Sequence, residues 1–368
     1  MTSPLKFIRQ DVQSMLAYAV QDSKGFIKLD AMENPFTLPA ALQAKLGERL
    51  GQVAINRYPG TRIDDLKTAL RSYAQVPADY GLMLGNGSDE LISLLAMACD
   101  ATPGVALSQA GAKILAPLPG FVMYAMSAQL QGLQFIGVDL TADFGLDAPA
   151  MLAAIAQEKP AITYLAYPNN PTANLWDAVV IKQIIAACAA YGGMVVMDEA
   201  YQPFSSKSWM DEIKAAPEKN ANVLLMCTLS KFGLAGVRLG YMCGAQALIS
   251  EIDKLRPPYN ISVLNAECAL FALEYSEAFR AQAGMIIAQR AMLLEALAKM
   301  PKLKAYPSDA NMITVRTPDA DAAFAHLKTQ GILVKNISKM HPLLKNCLRL
   351  TVGTPDENAK MLAALASA

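Results

Sequence analysis

The stretch "NVLLMCTLSK", residues 222–231, shows the pattern from which the fold can be inferred. Its first part is apolar and suits a short buried strand, and its polar end contains Lys231. Two earlier stretches have the same form: "AITYLAY" (161–167) runs into "PNNPT", and "MVVM" (194–197) runs into "DEAY". Three such strands in succession, separated by helical segments, predict an α/β domain with a mostly parallel central sheet flanked by helices.

The segment between the first two strands is the clearest helix of this region. "DAVVIKQIIAACAAYGG" (177–193) has apolar residues at helical spacing. Asp177 is the expected N-cap, and Gly192 is the expected C′ residue just beyond the helix.

The chain has 368 residues, which favours two domains over one core. The α/β pattern runs from about Tyr58 to Asn265. After "DKLRPPYNIS" (253–262), a long helical stretch is expected over 264–300, and then short strands and helices alternate as in a small α+β domain. We therefore predict a large α/β domain over 51–265, a small α+β domain over 266–368, and an N-terminal segment, 1–50, that packs with the small domain.

Composition excludes several classes of function. Lys and Arg together number 32, as do Asp and Glu, so no net positive charge favours nucleic acid or a membrane surface. No apolar run is long enough for a membrane span, and the first residues lack the apolar core of a signal peptide. The six cysteines form no C-x-x-C motif and suit free thiols in the cytoplasm. With only two histidines, a histidine-based metal site or catalytic triad is not expected.

Polar side chains follow each of the three predicted strands. Asn170 and Asp198 are 28 positions apart and Asp198 and Lys231 are 33 apart, both close to one βαβ repeat of about 30 residues. Ligands bind outside the carboxyl ends of parallel strands, so these groups, with Tyr201, are expected to meet at one site. Each has a structural alternative: Asp198 as an N-cap, Asn170 in a turn, Lys231 on the surface. Their shared position at strand ends favours the site.

A glycine-rich turn before a helix suggests an anion site. In "LGNGSDELISLLAMA" (84–98), Ser88 and Asp89 begin an amphipathic helix whose first backbone N–H groups could bind phosphate. The turn is neither a Walker loop nor G-x-G-x-x-G, and an ordinary capping turn is the alternative. Further phosphate ligands could come from the third strand end, namely Thr228, Ser230 and Arg238.

A lysine beside a phosphate site, a carboxylate and a phenol suits pyridoxal 5′-phosphate. Lysine forms a Schiff base with the cofactor's aldehyde. A carboxylate keeps the pyridine nitrogen protonated, so that the ring can accept electrons. A phenol and an amide can hydrogen-bond the ring oxygen, and a desolvated lysine near other cations has a lowered pKa.

A series of motifs along the chain resembles the fold-type I pyridoxal-phosphate aminotransferases. They are "KLDAMENPF" (28–36), "RYPG" (57–60), "GNGSDELI" (85–92), "PLPGFVMY" (117–124), "YPNNPT" (167–172), "MDEAY" (197–201), "TLSKFGLAGVRLGY" (228–241), "RPPYNIS" (256–262) and "CLRLTVGTPDE" (347–357). Within that fold type, "NGSDE", "RPPYN" and "LRLTVGT" make the chain similar to the histidinol-phosphate aminotransferase family.

The resemblance implies a reaction and a cofactor site. The reaction is transamination of L-histidinol phosphate with 2-oxoglutarate, in a homodimer. Lys231 would bind the cofactor and transfer protons, and Asp198 would pair with the ring nitrogen. The other implied cofactor ligands are Tyr201 and Asn170 at the ring oxygen, Tyr124 stacked on the ring, Ser88, Asp89, Thr228, Ser230 and Arg238 at the phosphate, and Tyr58 from the partner subunit.

The resemblance also implies substrate ligands. Arg349 and Tyr18 would bind the anionic end of the substrate. Lys335 and Asn34 complete the implied substrate-binding set.

The chain departs from the family pattern at several positions. Lys231 and Arg238 are 7 positions apart, one fewer than usual. Lys335 stands where an arginine is usual, which keeps the charge but loses the bidentate fork. Ala173 replaces a common glycine, and the segment 101–117 looks longer than usual.

Other functions of the same fold remain open from the sequence. They include an aminotransferase for phenylalanine, tyrosine or another amino acid, and a lyase such as a threonine-phosphate decarboxylase. A non-catalytic domain of a transcription regulator is a further alternative, but no basic helix-turn-helix segment supports it.

Overall fold

The computed structural model describes residues 4–14, 21–99 and 111–367. Most of the segment 101–117, namely 101–110, lies outside the described residues, and its end, from Lys113, forms a strand of the central sheet. Among the described residues, no helix combines the length and the apolar character that crossing a membrane requires.

The described residues form thirteen strands and thirteen α-helices. The strands are β1 (Ile27–Lys28), β2 (Tyr80–Gly85), β3 (Lys113–Leu118), β4 (Gln134–Asp139), β5 (Ile162–Ala166), β6 (Met194–Asp198), β7 (Val223–Thr228), β8 (Gly240–Ala245), β9 (Lys304–Ala305), β10 (Met312–Arg316), β11 (Ile332–Leu333), β12 (Lys335–Asn336) and β13 (Cys347–Thr351). The helices are α1 (Gln10–Ser14), α2 (Ala40–Gly51), α3 (Arg62–Tyr73), α4 (Ser88–Ala98), α5 (Val122–Leu130), α6 (Ala148–Glu158), α7 (Ala178–Ala189), α8 (Trp209–Ala215), α9 (Gln246–Asp253), α10 (Val263–Glu274), α11 (Ser276–Ala298), α12 (Ala320–Thr329) and α13 (Pro355–Ala366).

Seven strands form the large sheet, in the order β2-β8-β7-β6-β5-β3-β4. The pairs from β7 through β6, β5 and β3 to β4 are parallel, and β8 runs antiparallel to both of its neighbours. Strands β5 and β7 are buried along their whole length because helices cover both faces of the sheet. A mostly parallel sheet flanked by helices is the fold class that the sequence predicts, and the prediction is confirmed.

The three strands on which the prediction rests are present within one residue of their expected bounds. Helix α7 lies between the first two, and the Asp177 carboxylate accepts a hydrogen bond from Val179 N at 2.8 Å, as expected of an N-cap. The predicted C-terminal end of this helix lies too far along the chain. The helix ends at Ala189, and Gly192, with a φ of 84°, lies in the turn beyond the cap residue Ala190.

A smaller antiparallel sheet follows, in the order β12-β13-β10-β9, with α12 and α13 packed beside it. The N-terminal segment contributes β1, which pairs in parallel with β11. Leu29, just after β1, belongs to the apolar core around the small sheet. This part of the N-terminal segment thus packs against the C-terminal region.

The prediction of one long helix over 264–300 is wrong, because the helix is interrupted between α10 and α11. Tyr275 caps α10 with a φ of −100° and a ψ of 31°, and α11 begins at the next residue. Helix α10 packs on α2 and α3, where Glu274 binds Arg49 at 2.7 Å. Helix α10 thus packs with α2 and α3, whereas α11 contacts β9 and β10 of the small sheet.

Candidate active site

A cavity opens where the strands β5, β6 and β7 end, with an empty volume of about 590 Å³ that includes space open to solvent. The residues that line it come from both sides of the sheet edge and from the N-terminal segment: Met32, Ser88, Asp89, Phe121, Tyr124, Ala166, Pro168, Asn170, Asp198, Ala200, Tyr201, Thr228, Ser230, Lys231 and Arg238.

Lys231 lies in the turn after β7 and reaches into this cavity. Its Nζ donates to the Ala31 carbonyl oxygen at 3.1 Å and lies 5.8 Å from the centre of the Tyr201 ring. Burial, together with the positive charge of Arg349, lowers the pKa of the Lys231 ammonium to about 8. An appreciable fraction of the amine is therefore neutral near physiological pH, which suits nucleophilic attack and proton transfer.

Asp198 ends β6 in the floor of the cavity and is 4% exposed. The Tyr124 hydroxyl donates to its Oδ2 at 2.6 Å, and Ala200 N donates to its Oδ1 at 3.0 Å. Burial raises the pKa of this carboxyl to about 6, and the two hydrogen bonds oppose that shift. A cationic ligand group beside Asp198 would favour its ionised form.

Tyr124 lines the cavity, and two contacts within the protein hold it there. Its ring is packed flat against Tyr164, with centroids 4.2 Å apart and an angle of 7° between the rings, and its hydroxyl is bound to Asp198. Because Tyr164 covers one face and the side chain is only 2% exposed, stacking on a ligand ring is a poor fit for Tyr124. Phe121, which is partly exposed and also lines the cavity, fits that role better.

The opposite end of the cavity is rich in hydrogen-bond donors. Helix α4 begins at Ser88, after Gly87 at a φ of 81°, so its first backbone N–H groups face this end. Arg238 Nη1 donates to Ser230 Oγ at 3.2 Å, and the Thr228 hydroxyl donates to the same oxygen at 2.9 Å. An anion-binding site is therefore formed by the N-terminus of α4, the hydroxyls of Thr228 and Ser230, and the Arg238 guanidinium.

The short spacing between Lys231 and Arg238 does not keep the arginine out of this site. The chain turns tightly through a π-helical segment, Ser230–Leu234, in which Gly233 has a φ of 131°. Arg238 itself has a left-handed backbone, with a φ of 54°. Its Nη2 lies 3.2 Å from Asp89 Oδ2, so the guanidinium already faces a negative group.

A close backbone approach also shapes the anion-binding end. A Cβ on Gly240, the first residue of β8, would lie 2.7 Å from the carbonyl carbon of Gly87 and 2.8 Å from Ser88 N. Only glycine lets β8 pass this close to the start of α4.

Asn170 and Arg349 join the large and small sheets at the cavity wall. Arg349, in the middle of β13, donates from Nη1 to Asn170 Oδ1 at 2.9 Å and from Nη2 to the Asp30 carbonyl oxygen at 2.7 Å. This contact fixes the Asn170 amide, so that its NH₂ group is the donor left for an oxygen of a ligand. Arg349 is 7% exposed and lies in the wall directly behind Asn170, which lines the cavity.

Residues 29–34, which we call the N-terminal strap, cross the site between Lys231 and the small sheet. Met32 N donates to Thr351 Oγ1 at 3.1 Å, and Asn311 Nδ2 donates to the Met32 carbonyl oxygen at 2.9 Å. These two bonds hold Met32 at a φ of 52°, a left-handed backbone conformation that is strained for a residue other than glycine. Its side chain lines the cavity, a position that the sequence analysis missed because no motif marks an apolar residue here.

The remaining candidate substrate residues differ in how they are placed. Lys335 pairs with Arg349 across β12 and β13, which puts the two side chains on one face of the small sheet. Asn34 is bound within the protein, donating to Gln282 Oε1 at 2.9 Å and accepting from Phe36 N at 2.9 Å, and it does not line the cavity. Tyr18 lies outside the described residues.

Tyr58 is not in the cavity of its own chain. It is 74% exposed and stacks on Tyr259, with ring centroids 4.2 Å apart. Ile55, 74% exposed, lies in the same stretch of chain.

The donor set of the cavity fits pyridoxal 5′-phosphate. Asp198 suits the protonated ring nitrogen, because a buried carboxylate is stabilised by a positive charge beside it. Lys231 suits the aldehyde, because its lowered pKa makes the neutral amine more available. Arg238 with the start of α4 suits the phosphate. Each of these groups lines the same cavity.

Comparison with known proteins gives a consistent result. The family model described as aminotransferase class I and II matches residues 24–365. A histidinol-phosphate aminotransferase of Polaromonas naphthalenivorans is 66% identical over 98% of this chain and 95% of its own length. That of Methylibium petroleiphilum is 63% identical over 98% of this chain and 94% of its own length.

Solved structures share the fold at lower sequence identity. The histidinol-phosphate aminotransferase of Clostridium acetobutylicum has a TM-score of 0.81 and 20% identity, covering 92% of this chain and 98% of that one. The enzyme of the same name from Sinorhizobium meliloti, solved in complex with pyridoxal 5′-phosphate, has a TM-score of 0.80 and 22% identity, covering 98% and 97%.

Proposed function

Because this chain belongs to the class I and II aminotransferase family, we propose that it transfers the amino group of L-histidinol phosphate to 2-oxoglutarate with pyridoxal 5′-phosphate as cofactor. The products are imidazole acetol phosphate and L-glutamate, so one substrate exchanges an amino group and a hydrogen for the carbonyl oxygen of the other. The observation that carries the proposal is the meeting of Lys231, Asp198 and Arg238 in one cavity. Relatives that are 63–66% identical over almost the whole chain carry this enzyme's name.

The cofactor, when bound, supplies an electron sink for the bond that breaks at the substrate carbon. We assign the residues of the chain as follows. Asp198 would hold the ring nitrogen, Asn170 and Tyr201 the ring oxygen, and Phe121 would cover the ring. The backbone N–H groups of Ser88 and Asp89 would hold the phosphate, together with Thr228, Ser230 and Arg238.

Lys231 is the proposed catalytic acid and base. It would hold the cofactor through its aldehyde and then, once released as a free amine, remove the proton from the amine-bearing carbon of the donor. In the second half of the cycle it would return a proton to the corresponding carbon of the acceptor. The lowered pKa of its ammonium suits both directions, since a group with a pKa near the working pH exchanges protons readily.

Arg349 is the proposed ligand of a substrate anion, with Lys335 beside it on the same face of the small sheet. The two substrates carry different anions, a phosphate and carboxylates. A fixed guanidinium paired with a flexible ammonium can accept both, because the first gives bidentate geometry and the second gives a point charge.

We also propose a cytoplasmic homodimer. The six cysteines, all within the described residues, are free thiols, as suits a reducing compartment. The exposed aromatic pair of Tyr58 and Tyr259, with the exposed Ile55 nearby, offers apolar surface to a second copy. Sedimentation of the purified protein tests the dimer, and Tyr58→Ala tests whether a partner's Tyr58 affects cofactor affinity.

The substrate assignment is tested by comparing kcat/KM for L-histidinol phosphate and for L-phenylalanine as amino donors. We expect histidinol phosphate to be preferred by at least tenfold, about 1.4 kcal/mol of transition-state binding. A tenfold preference for phenylalanine would instead identify an aromatic amino-acid aminotransferase.

A further inference from the structure

The Tyr124 hydroxyl has a buried partner that the reaction above does not explain. It lies 2.6 Å from Oδ2 of Asp198, the buried carboxylate in the cavity floor. Burial raises the pKa of the Tyr124 phenol well above its usual range, so this group remains a donor at any working pH. The carboxylate is the acceptor.

We propose that Tyr124 is a positioning residue that acts on the cofactor's ring nitrogen through Asp198: its O–H holds Oδ2 and so keeps the carboxylate both oriented and ionised. The inference rests on the proposed role of Asp198. It replaces ring stacking as the function of Tyr124.

The geometry around Asp198 supports this role because each carboxylate oxygen is held by a different element. Ala200 N, in the turn after β6, fixes Oδ1 at 3.0 Å, and Tyr124, on α5, fixes Oδ2. A carboxylate held at both oxygens cannot rotate away from its ligand. The two bonds also favour the charged form, which is the form that pairs with a protonated ring nitrogen.

The charges around Asp198 leave Tyr124 as the side chain that opposes its protonation most directly. Burial raises the pKa of Asp198, and the negative charge of Asp89 raises it further, whereas the hydrogen bond from Tyr124 lowers it. The titratable groups that face this carboxyl or its tyrosine are Asp89 on α4, Tyr124 on α5, Tyr164 on β5, Glu199 and Tyr201 after β6, and Cys227 on β7.

Tyr164 provides a matched control on the neighbouring strand. Its ring stacks on that of Tyr124 and is as deeply buried, but its hydroxyl has no hydrogen-bond partner within the part of the chain that the structure describes. Removing either hydroxyl leaves the stacked ring pair in place. Only one of the two changes removes a bond to Asp198.

The test is the dissociation constant for pyridoxal 5′-phosphate of the full-length protein, measured between pH 5 and 8.5 for Tyr124→Phe and Tyr164→Phe. Loss of a hydrogen bond to a charged acceptor should weaken cofactor binding about tenfold in Tyr124→Phe. The pKa of Asp198 should rise without its donor, so the weakening at low pH should begin at a higher pH than in the unmodified protein. Tyr164→Phe should keep the original affinity and pH dependence.

A double-mutant comparison separates positioning from packing. If Tyr124 acts through Asp198, then Tyr124→Phe should add little to the weakening caused by Asp198→Asn. Full additivity of the two changes would overturn the proposal. So would unchanged affinity and pH dependence in Tyr124→Phe.

The outcomes also separate this inference from the proposed function. If Asp198→Asn binds the cofactor as tightly as the unmodified protein, the role of Asp198 fails, and the inference fails with it. If Asp198→Asn is impaired and Tyr124→Phe is not, only the inference fails. Thermal unfolding of the cofactor-free variants checks that each one is folded.

Discussion

The two sides of the cavity are built in different ways. The floor, with Asn170, Asp198 and Lys231, comes from the ends of neighbouring strands of one sheet. The wall beyond Lys231 comes from the N-terminal strap and from Arg349, which meet across 319 positions of sequence. The floor is therefore set by a repeating local unit, whereas the wall depends on long-range contacts.

The two sides of the cavity also have different proposed roles. The floor and the anion-binding end present the groups that suit a cofactor, and they are held by the large sheet and α4. The wall presents the arginine proposed for the substrate, held by a strap that belongs to the other sheet. Changes to the floor should therefore affect cofactor binding and chemistry, and changes to the wall should affect KM.

The largest effect is expected from Lys231→Ala, on the floor. Loss of the amine removes both the cofactor attachment and the proposed proton carrier, so kcat should fall by a factor of about 10³ or more. The visible absorbance of the lysine-bound cofactor should disappear as well. Lys299→Ala is the control, because it removes an exposed lysine that pairs with Glu295. It should leave kcat and the visible absorbance unchanged. Turnover in Lys231→Ala would contradict the mechanism.

Arg349→Lys, on the wall, should have the next largest effect. The variant keeps the charge but loses the fork that binds Asn170 and the Asp30 carbonyl, so kcat/KM should fall about 100-fold, mainly through KM. Arg316→Lys is the control, since Arg316 lies on the adjacent strand β10 and donates to the carbonyls of Leu343 and Lys345. An equal loss in both variants would indicate general damage to the small sheet.

The pH dependence of cofactor attachment tests the floor by a smaller effect. The cofactor-free protein should bind pyridoxal 5′-phosphate through the neutral Lys231 amine, so the rate should fall about tenfold per pH unit below its pKa of about 8. Above that pH the rate should level off. Stopped-flow absorbance between pH 6.5 and 9.5 measures it.

The same experiment on Arg349→Gln links the two sides. Arg349 lowers the pKa of Lys231, so its removal should move the inflection to higher pH. An inflection near the ordinary lysine value in the unmodified protein would show that burial does not act on this amine as we infer.

The smallest effect is expected from Lys335→Ala. The side chain is partly exposed and lies beside Arg349, so its loss should raise KM for histidinol phosphate by a few-fold, in line with a solvent-screened charge. Lys339→Ala, a nearby exposed lysine, serves as the control. Lys335→Arg should match or improve on the unmodified protein, because arginine restores bidentate binding.

The sequence predicted the floor well because strand ends recur at a regular spacing. Asn170, Asp198 and Lys231 were located from three apolar runs alone, and all three line the cavity. The anion-binding end was also predicted, from a glycine turn before a helix. Both signals lie within short stretches of sequence, so a single sequence is enough to recognise them.

Features that depend on packing could not be predicted in the same way. The motif "PLPGFVMY" contains two aromatic residues that both line the cavity, and only the structure shows that Tyr124 is buried and bound to Asp198 while Phe121 is partly exposed. The break between α10 and α11 has no proline or glycine to mark it. The place of Met32 in the cavity depends on Thr351 and Asn311, which are remote in sequence.

The anchoring of the N-terminal strap has a consequence for how the protein is made. The strap leaves the ribosome 319 residues before its partners Arg349 and Thr351. Synthesis proceeds at about 5–20 residues per second, so the strap waits roughly 15–65 seconds for them. During that interval the large sheet can form with Lys231 in place, but the strap lacks its hydrogen bonds to Arg349 and Thr351. The site is therefore completed only after β13 has emerged and paired.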